Sequence, residues 1–294
     1  MAEGRIIKAL SGFYYVKTED NQIFQCRGRG VFRNQNITPL VGDLVVFEYE
    51  NPSEGYIMEI KPRTNELVRP PISNISQAII VTSAKEPNFN QGLLDRFLML
   101  IEAKGIKAII FISKIDLLSA EEKEEIEKQS DIYKDIGYKV VQLSTKEEQT
   151  FQELMYYFSK QITVIAGQSG VGKSSILNML DSSLDLKTGE ISESLGRGKH
   201  TTRHVELIEI QGGLVADTPG FSSLDFNEIE VEELSSLFPE IRERMHACKF
   251  RGCLHVKEPK CAIKTAVTEG EIDSSRYNSY LKFLEEIKLR KPRY

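Results

Sequence analysis

The stretch from Gly167 to Ser174, G-Q-S-G-V-G-K-S, constrains this chain more than any other. An apolar run, Ile162 to Ala166, precedes it and a helix-forming segment follows, so the three together read as the strand, loop and helix of a P-loop. Glycines at Gly167, Gly170 and Gly172 let the backbone turn its N–H groups inward onto a polyphosphate. The helix opening near Lys173 points its positive end at the same place, and Lys173 adds a full charge. Gln168, Ser169 and Val171 complete the cradle, Ser174 is placed to ligate magnesium, and Ser175 follows into the helix. A glycine-rich turn that binds nothing would need neither the flanking elements nor the G-K-S ending.

The remaining pattern surrounds this loop with an α/β domain. Gln77 to Thr82, Lys107 to Ser113 and Tyr138 to Leu143 read as buried strands. They alternate with helices at Leu93 to Lys104, Glu121 to Ile136 and Phe151 to Lys160, which predicts a mostly parallel sheet covered on both faces. Beyond the P-loop helix lie a polar stretch, Asp181 to Arg203, and two strands, Val205 to Ile210 and Gly213 to Ala216, joined by a Gln211-Gly212 turn.

Two further units flank this domain. From Arg5 to about Ile60, short strand-like runs at Gly12 to Val16, Ile23 to Arg27, Leu44 to Tyr49 and Tyr56 to Ile60 fit a small barrel of the oligonucleotide-binding (OB) type. Arg27, Arg29 and Arg33, interleaved with Gly28, Gly30 and Phe32, are its candidate RNA contacts; a solvated loop would carry the same residues. Residues 61 to 75, with Pro62, Pro70 and Pro71, read as a linker. From Phe221 the pattern turns helical, with Glu228 to Leu237 and Ser275 to Lys288 as helices around a cysteine cluster. The expected boundaries are 1–65, 72–221 and 222–294.

In that cluster Cys248, Cys253, His255 and Cys261 form C-x4-C-x-H-x5-C, the spacing of a closed tetrahedral zinc site that contributes folding energy to a domain expected to have little core of its own. His246 is a competing ligand by proximity. Cys26 stands apart and reads as a small buried apolar residue.

Around the P-loop the other parts of a guanine-nucleotide hydrolase are present. Asp217-Thr218-Pro219-Gly220 fits the D-x-x-G role, with Asp217 on magnesium, through water, and the Gly220 N–H on the γ-phosphate. Thr201 or Thr202, in the polar stretch, would present a hydroxyl to magnesium. Ser113-Lys114-Ile115-Asp116 would read the base: the Asp116 carboxylate accepts two hydrogen bonds from guanine while the Lys114 stem lies along the ring, and Ser144-Thr145-Lys146 closes over it. Ser113 stands where this motif usually carries Asn, and its shorter side chain with fewer donors predicts weaker affinity with base choice preserved. Where Ras-like enzymes carry a water-orienting Gln, this chain has Phe221, so isolated turnover should be slow. His200, directly before Thr201, is the nearest group able to orient water.

The base loops precede the P-loop here, whereas ordinary GTPases have the reverse order. The chain is therefore read as circularly permuted, its γ-phosphate-sensing segment leading straight into the C-terminal unit. With the barrel, the stretch Gly196-Arg197-Gly198-Lys199-His200-Thr201-Thr202, Asp217 to Phe221 and the cysteine knot, it closely resembles the RsgA family of circularly permuted GTPases of bacterial small-ribosomal-subunit biogenesis. The resemblance covers nearly the whole chain. It implies GTP hydrolysis to GDP and phosphate, stimulated by the small (30S) subunit, rRNA contacts through the barrel and C-terminal domain, a late assembly role, zinc at the cysteine pattern and a catalytic part for His200.

The net charge of −5 excludes attraction to nucleic acid by a global field, so RNA would be met by local patches. No leader pattern or apolar run approaching the roughly eighteen residues of a membrane span is seen, which reads as cytoplasmic. No heptad or apolar stripe argues for a dimer, and a monomer is expected. Two other classes fit some of these features: an RNA-binding adaptor that uses GTP only to lock its shape, and an ATP-dependent enzyme in which Asp116 is a mere surface carboxylate.

Overall fold

The computed structural model describes residues 1–30, 32, 37–68, 70–144, 146, 148–184, 205–217 and 226–290. Strands β1 (Ala2–Leu10), β2 (Phe13–Lys17), β3 (Ile23–Gly28), β4 (Leu44–Asn51) and β5 (Glu54–Ile60) form the N-terminal barrel. Their order is β1-β2-β3-β5-β4, closed by β1 pairing back onto β4 from Ala2↔Phe47 to Arg5↔Leu44. Period-two alternation sends Val16, Phe24, Cys26, Val45, Phe47 and Ile57 inward to fill it. Burial also pushes the Cys26 thiol up to about 11, so it stays neutral in that core.

β1 is the strand that the sequence pattern does not announce, and it joins the barrel to the rest of the molecule. Gly4 permits the closure, because a Cβ there would stand 2.6 Å from Val16 Cγ1 and 2.8 Å from the Lys17 carbonyl. Its pairing with β4 stops at Arg5, and past a register shift between Ile6 and Lys8 it keeps β2 on one edge through Leu10 while its other edge is open to a new partner. Lys8 and Ala9 pair with a strand of the nucleotide domain, β12 (Val205–Ile210), where Lys8 also meets the Glu206 carboxylate at 2.7 Å. Residues 61 to 75, expected as a bare linker, hold a small hairpin, β6 (Glu66–Val68) and β7 (Pro71–Ser73). Leu67 and Ile72 are buried under it, and Arg63 clamps the buried Asp43 carboxylate at 2.8 Å, so the segment folds by docking on the barrel.

The central sheet has the order β10-β9-β8-β11-β13-β12, from β8 (Gln77–Ser83), β9 (Lys107–Ser113), β10 (Lys139–Gln142), β11 (Ile162–Ala166) and β13 (Gly213–Asp217) with β12. All neighbours are parallel up to β13, and β12 closes the edge antiparallel. Helices α1 (Gln91–Glu102) and α2 (Ala120–Ile136) cover one face through Leu94, Leu98, Ile101 and Tyr133. The other face is packed by α3 (Glu148–Phe158) and α4 (Lys173–Leu180), through Leu154, Phe158, Ile176 and Leu180. Strand ends and loops thereby gather at one edge, the usual ligand position in such sheets.

The C-terminal part contains α5 (Pro239–Arg242), α6 (Ala262–Thr268) and α7 (Ser274–Leu289). The helix expected over Glu228 to Leu237 is reduced to a 3-10 turn at Leu234–Leu237, and before it Glu233 takes the Glu230 N–H on its side chain while Phe226, Ile229 and Leu234 anchor the segment in the core. The expectation of little core is also corrected: Leu234, Phe238, Ile241, Ile263, Tyr280 and Leu284 are buried together. This core packs on α1, where Arg276, 1% exposed, bridges Asp95 at 2.6 Å and Glu240 at 2.7 Å while the Tyr133 hydroxyl donates to Asp95 at 2.8 Å. Removing one member would leave an uncompensated buried charge, so the pair of domains is held in one orientation. Among the described residues no helix is long and apolar enough to cross a membrane.

Candidate functional site

The phosphate loop lies between β11 and α4. Gly167, Gly170 and Gly172 have φ of 142°, 79° and 95°, the left-handed region that side chains disfavour. At Gly167 space decides as well, since a Cβ would stand 2.1 Å from the Val81 carbonyl oxygen. Lys173 curls back over the loop and donates to the carbonyls of Gly167 at 2.8 Å and Gln168 at 2.6 Å. Burial pulls its ammonium down to about 8, and the negative charge of a phosphate would restore it. Ser174 is buried beside it and Ser175 half-buried in the first turn of α4.

Ser113 ends β9 directly beneath this loop. Its hydroxyl donates to the Val171 carbonyl at 2.5 Å, with the Thr82 carbonyl at 3.2 Å as a second acceptor, and Gly172 lies against it. The short side chain therefore bears on the phosphate loop, which β9 approaches closely enough for a hydroxyl to reach. Replacing Ser113 by Ala leaves the Val171 acceptor unpartnered and is expected to weaken GTP binding about fivefold to tenfold, near 1 kcal/mol. Titration with a fluorescent guanine nucleotide checks this; parent affinity in the variant would show that the loop holds its shape without that bond.

One residue on, Lys114 adopts φ 62° and donates its ammonium to the Glu86 carbonyl. Asp116 accepts from Ser144 Oγ at 2.9 Å and pairs with Lys146 at 2.6 Å. The Lys146 hydrogen bond, aided by Ser144, holds the Asp116 carboxyl below the usual carboxylate range, so it stays an acceptor. Ser144 Oγ in turn takes the Lys146 N–H at 3.2 Å. The loops after β9 and β10 thus meet through three named side chains. Thr145, His200, Thr201, Thr202 and Gly220 lie outside the described residues, as does Arg33 of the barrel. Asp217 is placed only as the last residue of β13, paired with Glu206.

The cysteine knot forms a compact cluster. The Cys248, Cys253, His255 and Cys261 donor atoms all lie within 4.8 Å of one another. Cys248 and Cys261 sulfurs are 3.9 Å apart, and His255 Nδ1 stands 3.6 Å and 3.4 Å from them. A tetrahedral zinc with bonds of about 2.3 Å to sulfur and 2.0 Å to nitrogen requires separations of about 3.8 Å and 3.5 Å, so these donors fit that ion. Burial lowers the His255 pKa and keeps the imidazole in its neutral, ligating form. Exposed His246 is not part of the group.

The shell around these donors was not visible in the spacing. His255 takes φ 60° because Glu258 receives the N–H groups of Leu254 at 2.9 Å and Val256 at 2.8 Å. Burial raises the Glu258 pKa, but the N–H bonds outweigh it and hold the group at about 2. Tyr277 and Tyr280 fasten the knot to α7 by donating to the carbonyls of His255 at 2.5 Å and Leu254 at 2.9 Å.

A parallel sheet with a phosphate loop, preceded in sequence by three of its own parallel strands, β8, β9 and β10, fits a circularly permuted GTPase. Solved structures agree: this chain resembles YloQ, described as a circularly permuted GTPase, with a TM-score of 0.86 and 53% identity over 100% of this chain and 97% of that one. YjeQ from Thermotoga maritima matches with a TM-score of 0.87 and 34% identity, covering 99% of each chain. Residues 60–227 match the family model described as RsgA GTPase, and residues 3–57 the RsgA N-terminal domain. Among curated proteins, the small ribosomal subunit biogenesis GTPase RsgA 2 of Oceanobacillus iheyensis is 64% identical and the small ribosomal subunit biogenesis GTPase RsgA of Bacillus subtilis 59% identical, each match covering 100% of both chains. The chain belongs to the RsgA GTPase family, and it is a GTP hydrolase.

Proposed function

We propose that this protein hydrolyses GTP on the small ribosomal subunit during its late maturation, as a cytoplasmic monomer. The observation that carries the reading is full-length identity of 64% and 59% to two proteins named for biogenesis of that subunit. The barrel, residues 1–65, would meet rRNA. Arg27 and Arg29 are exposed there, and Arg27 lies 4.8 Å over the Phe13 ring, a cationic and aromatic surface suited to RNA. Residues 72–221 would form the GTPase domain and 222–294 a zinc-binding domain that adds rRNA contacts.

Within the site, residues 167–175 cradle the phosphates, Lys173 neutralises them, and Asp116 with Lys114, Ser144, Thr145 and Lys146 selects and encloses guanine. Ser174, Asp217 and one of Thr201 and Thr202 would hold magnesium, which supplies charge neutralisation between the terminal phosphates. Cys248, Cys253, His255 and Cys261 would hold zinc in a purely structural site, with no open position for chemistry. Gly220 receives the γ-phosphate at its N–H. Phe221 cannot accept a proton, so His200 orients the attacking water on the small subunit.

Hydrolysis measured with and without purified small subunits tests the reading. The isolated parent is expected to turn over on the order of 10⁻⁴ to 10⁻² s⁻¹ and to be accelerated by subunits. His200→Ala should bind GTP and the subunit as the parent does yet lose most of that acceleration. No acceleration of the parent would overturn the ribosomal role, and full acceleration of the variant would overturn the role of His200 alone.

A further inference from the structure

We infer that the segment between β8 and α1, residues Ala84 to Asn90, is a brace that sets the phosphate loop and the base-side lysine at their working separation. The inference rests on the site reading above and adds residues that no nucleotide motif of the sequence contains. Ser83, at the end of β8, donates its hydroxyl to the Pro87 carbonyl, and the Ala84 N–H donates to the Ser113 carbonyl at 2.9 Å. Lys85 reaches across to both carboxylate oxygens of Glu122 on α2 at 2.8 Å and 2.9 Å. Asn90 closes the segment by capping α1, its side chain accepting from the Leu93 N–H at 3.0 Å. The brace is therefore tied to a strand, to two helices and to the strand end that carries the base motif.

Held this way, it touches the site at two points. The Pro87 ring lies beside the crown of the phosphate loop, its Cδ 3.8 Å from the place a Cβ on Gly170 would take. Glu86, at φ 56°, turns its carbonyl outward, and this carbonyl receives the Lys114 ammonium. A lysine meant to lie along a base has four rotatable bonds to restrain, and a fixed acceptor at its tip lowers the entropy lost on binding. Gln168 and Val171 of the phosphate loop share a small cavity with Pro87, Asn88 and Phe97, so the two loops pack as one unit. Far from the site, α1 is locked by the buried Asp95–Arg276 pair, which gives the brace a rigid footing.

Ser83 and Pro87 are positioning residues: they act on nucleotide through Lys114 and Gly170. Ser83→Ala is expected to speed GDP release and raise KM for GTP about fivefold to tenfold, the scale of one lost hydrogen bond, and Pro87→Gly, which keeps that carbonyl but loses the ring beside Gly170, to shift both in the same direction. The kcat at saturating GTP should move less than about threefold, selectivity for GTP over ATP should persist, and Ser83→Thr should restore parent behaviour. Release of a fluorescent GDP analogue, steady-state hydrolysis and thermal melting of the full chain measure this. Parent-like release and KM in folded variants would overturn the brace. So would a uniform loss of kcat, melting temperature and affinity, which a merely structural role produces. Failure of the parent to prefer GTP over ATP would instead strike at Asp116 and its neighbours, leaving the release rates to judge the brace.

Discussion

Replacing Cys261 with Ser is expected to release the metal and open residues 248–261 to proteolysis, without unfolding the rest of the C-terminal domain. Closed zinc sites contribute on the order of 10 kcal/mol where they organise a small domain. Here the domain has its own core, and α7 is fastened to α1 by Arg276, so the loss should be confined to the knot. Burial pushes the Cys253 thiol up to about 12, and three thiols this close ionise together only beside a cation. Lys249, Arg251, Lys257 and Lys260 lie within the knot, so trypsin reports its state directly. Cleavage there should be slow in the parent and fast after chelation or in Cys261→Ser, with one metal per chain by elemental analysis in the parent alone. Cys261 caps α6 and is 3% exposed, so the half-exposed Cys253→Ser serves as the milder second variant. Substoichiometric metal in the parent, or equal cleavage with and without chelator, would sink the zinc assignment.

Asp116→Asn should exchange guanine for xanthine. The carboxylate accepts from the two guanine donors, and a charge-assisted bond is worth about 1.5–3 kcal/mol, so GTP affinity should fall on the order of 10²-fold. Xanthine presents an oxo group where guanine has its amino donor, and the carboxamide can donate to it, so XTP affinity should rise. Stability should barely change, because the pair lost with Lys146 joins a side chain 71% exposed to one 21% exposed, and such pairs contribute about 0–1 kcal/mol. Competition binding with GTP, XTP and ATP decides it. Equal losses for all three nucleotides would show that Asp116 holds the loop rather than reads the base, and unchanged GTP binding would return the ATP-dependent reading.

The phosphate loop was legible from eight residues, because glycine at φ above zero, a lysine and a hydroxyl at fixed offsets leave little choice of backbone. The same holds for the cysteine knot, whose donors come from fourteen residues and fit one ion by local geometry. Strand and helix alternation from Gln77 to Ile210 was also legible, since buried parallel strands and amphipathic helices differ in period. These features are short-range, and the chain carries each within one turn or two of itself.

Contacts between distant segments were decided only by the fold. The sequence places Ser113 at the head of the base motif, and only the sheet brings its hydroxyl to the Val171 carbonyl, 58 positions away. Arg276 belongs to no motif of the sequence, and only packing buries it against Asp95, 181 positions away. β1 carries no strong alternation, and its pairing with β12 joins Lys8 to Glu206, 198 positions away. The brace at residues 84–90 contains no motif at all. A short window specifies backbone angles and donor types, whereas which side chains meet across a sheet or between domains follows from the path of the whole chain and the burial it achieves.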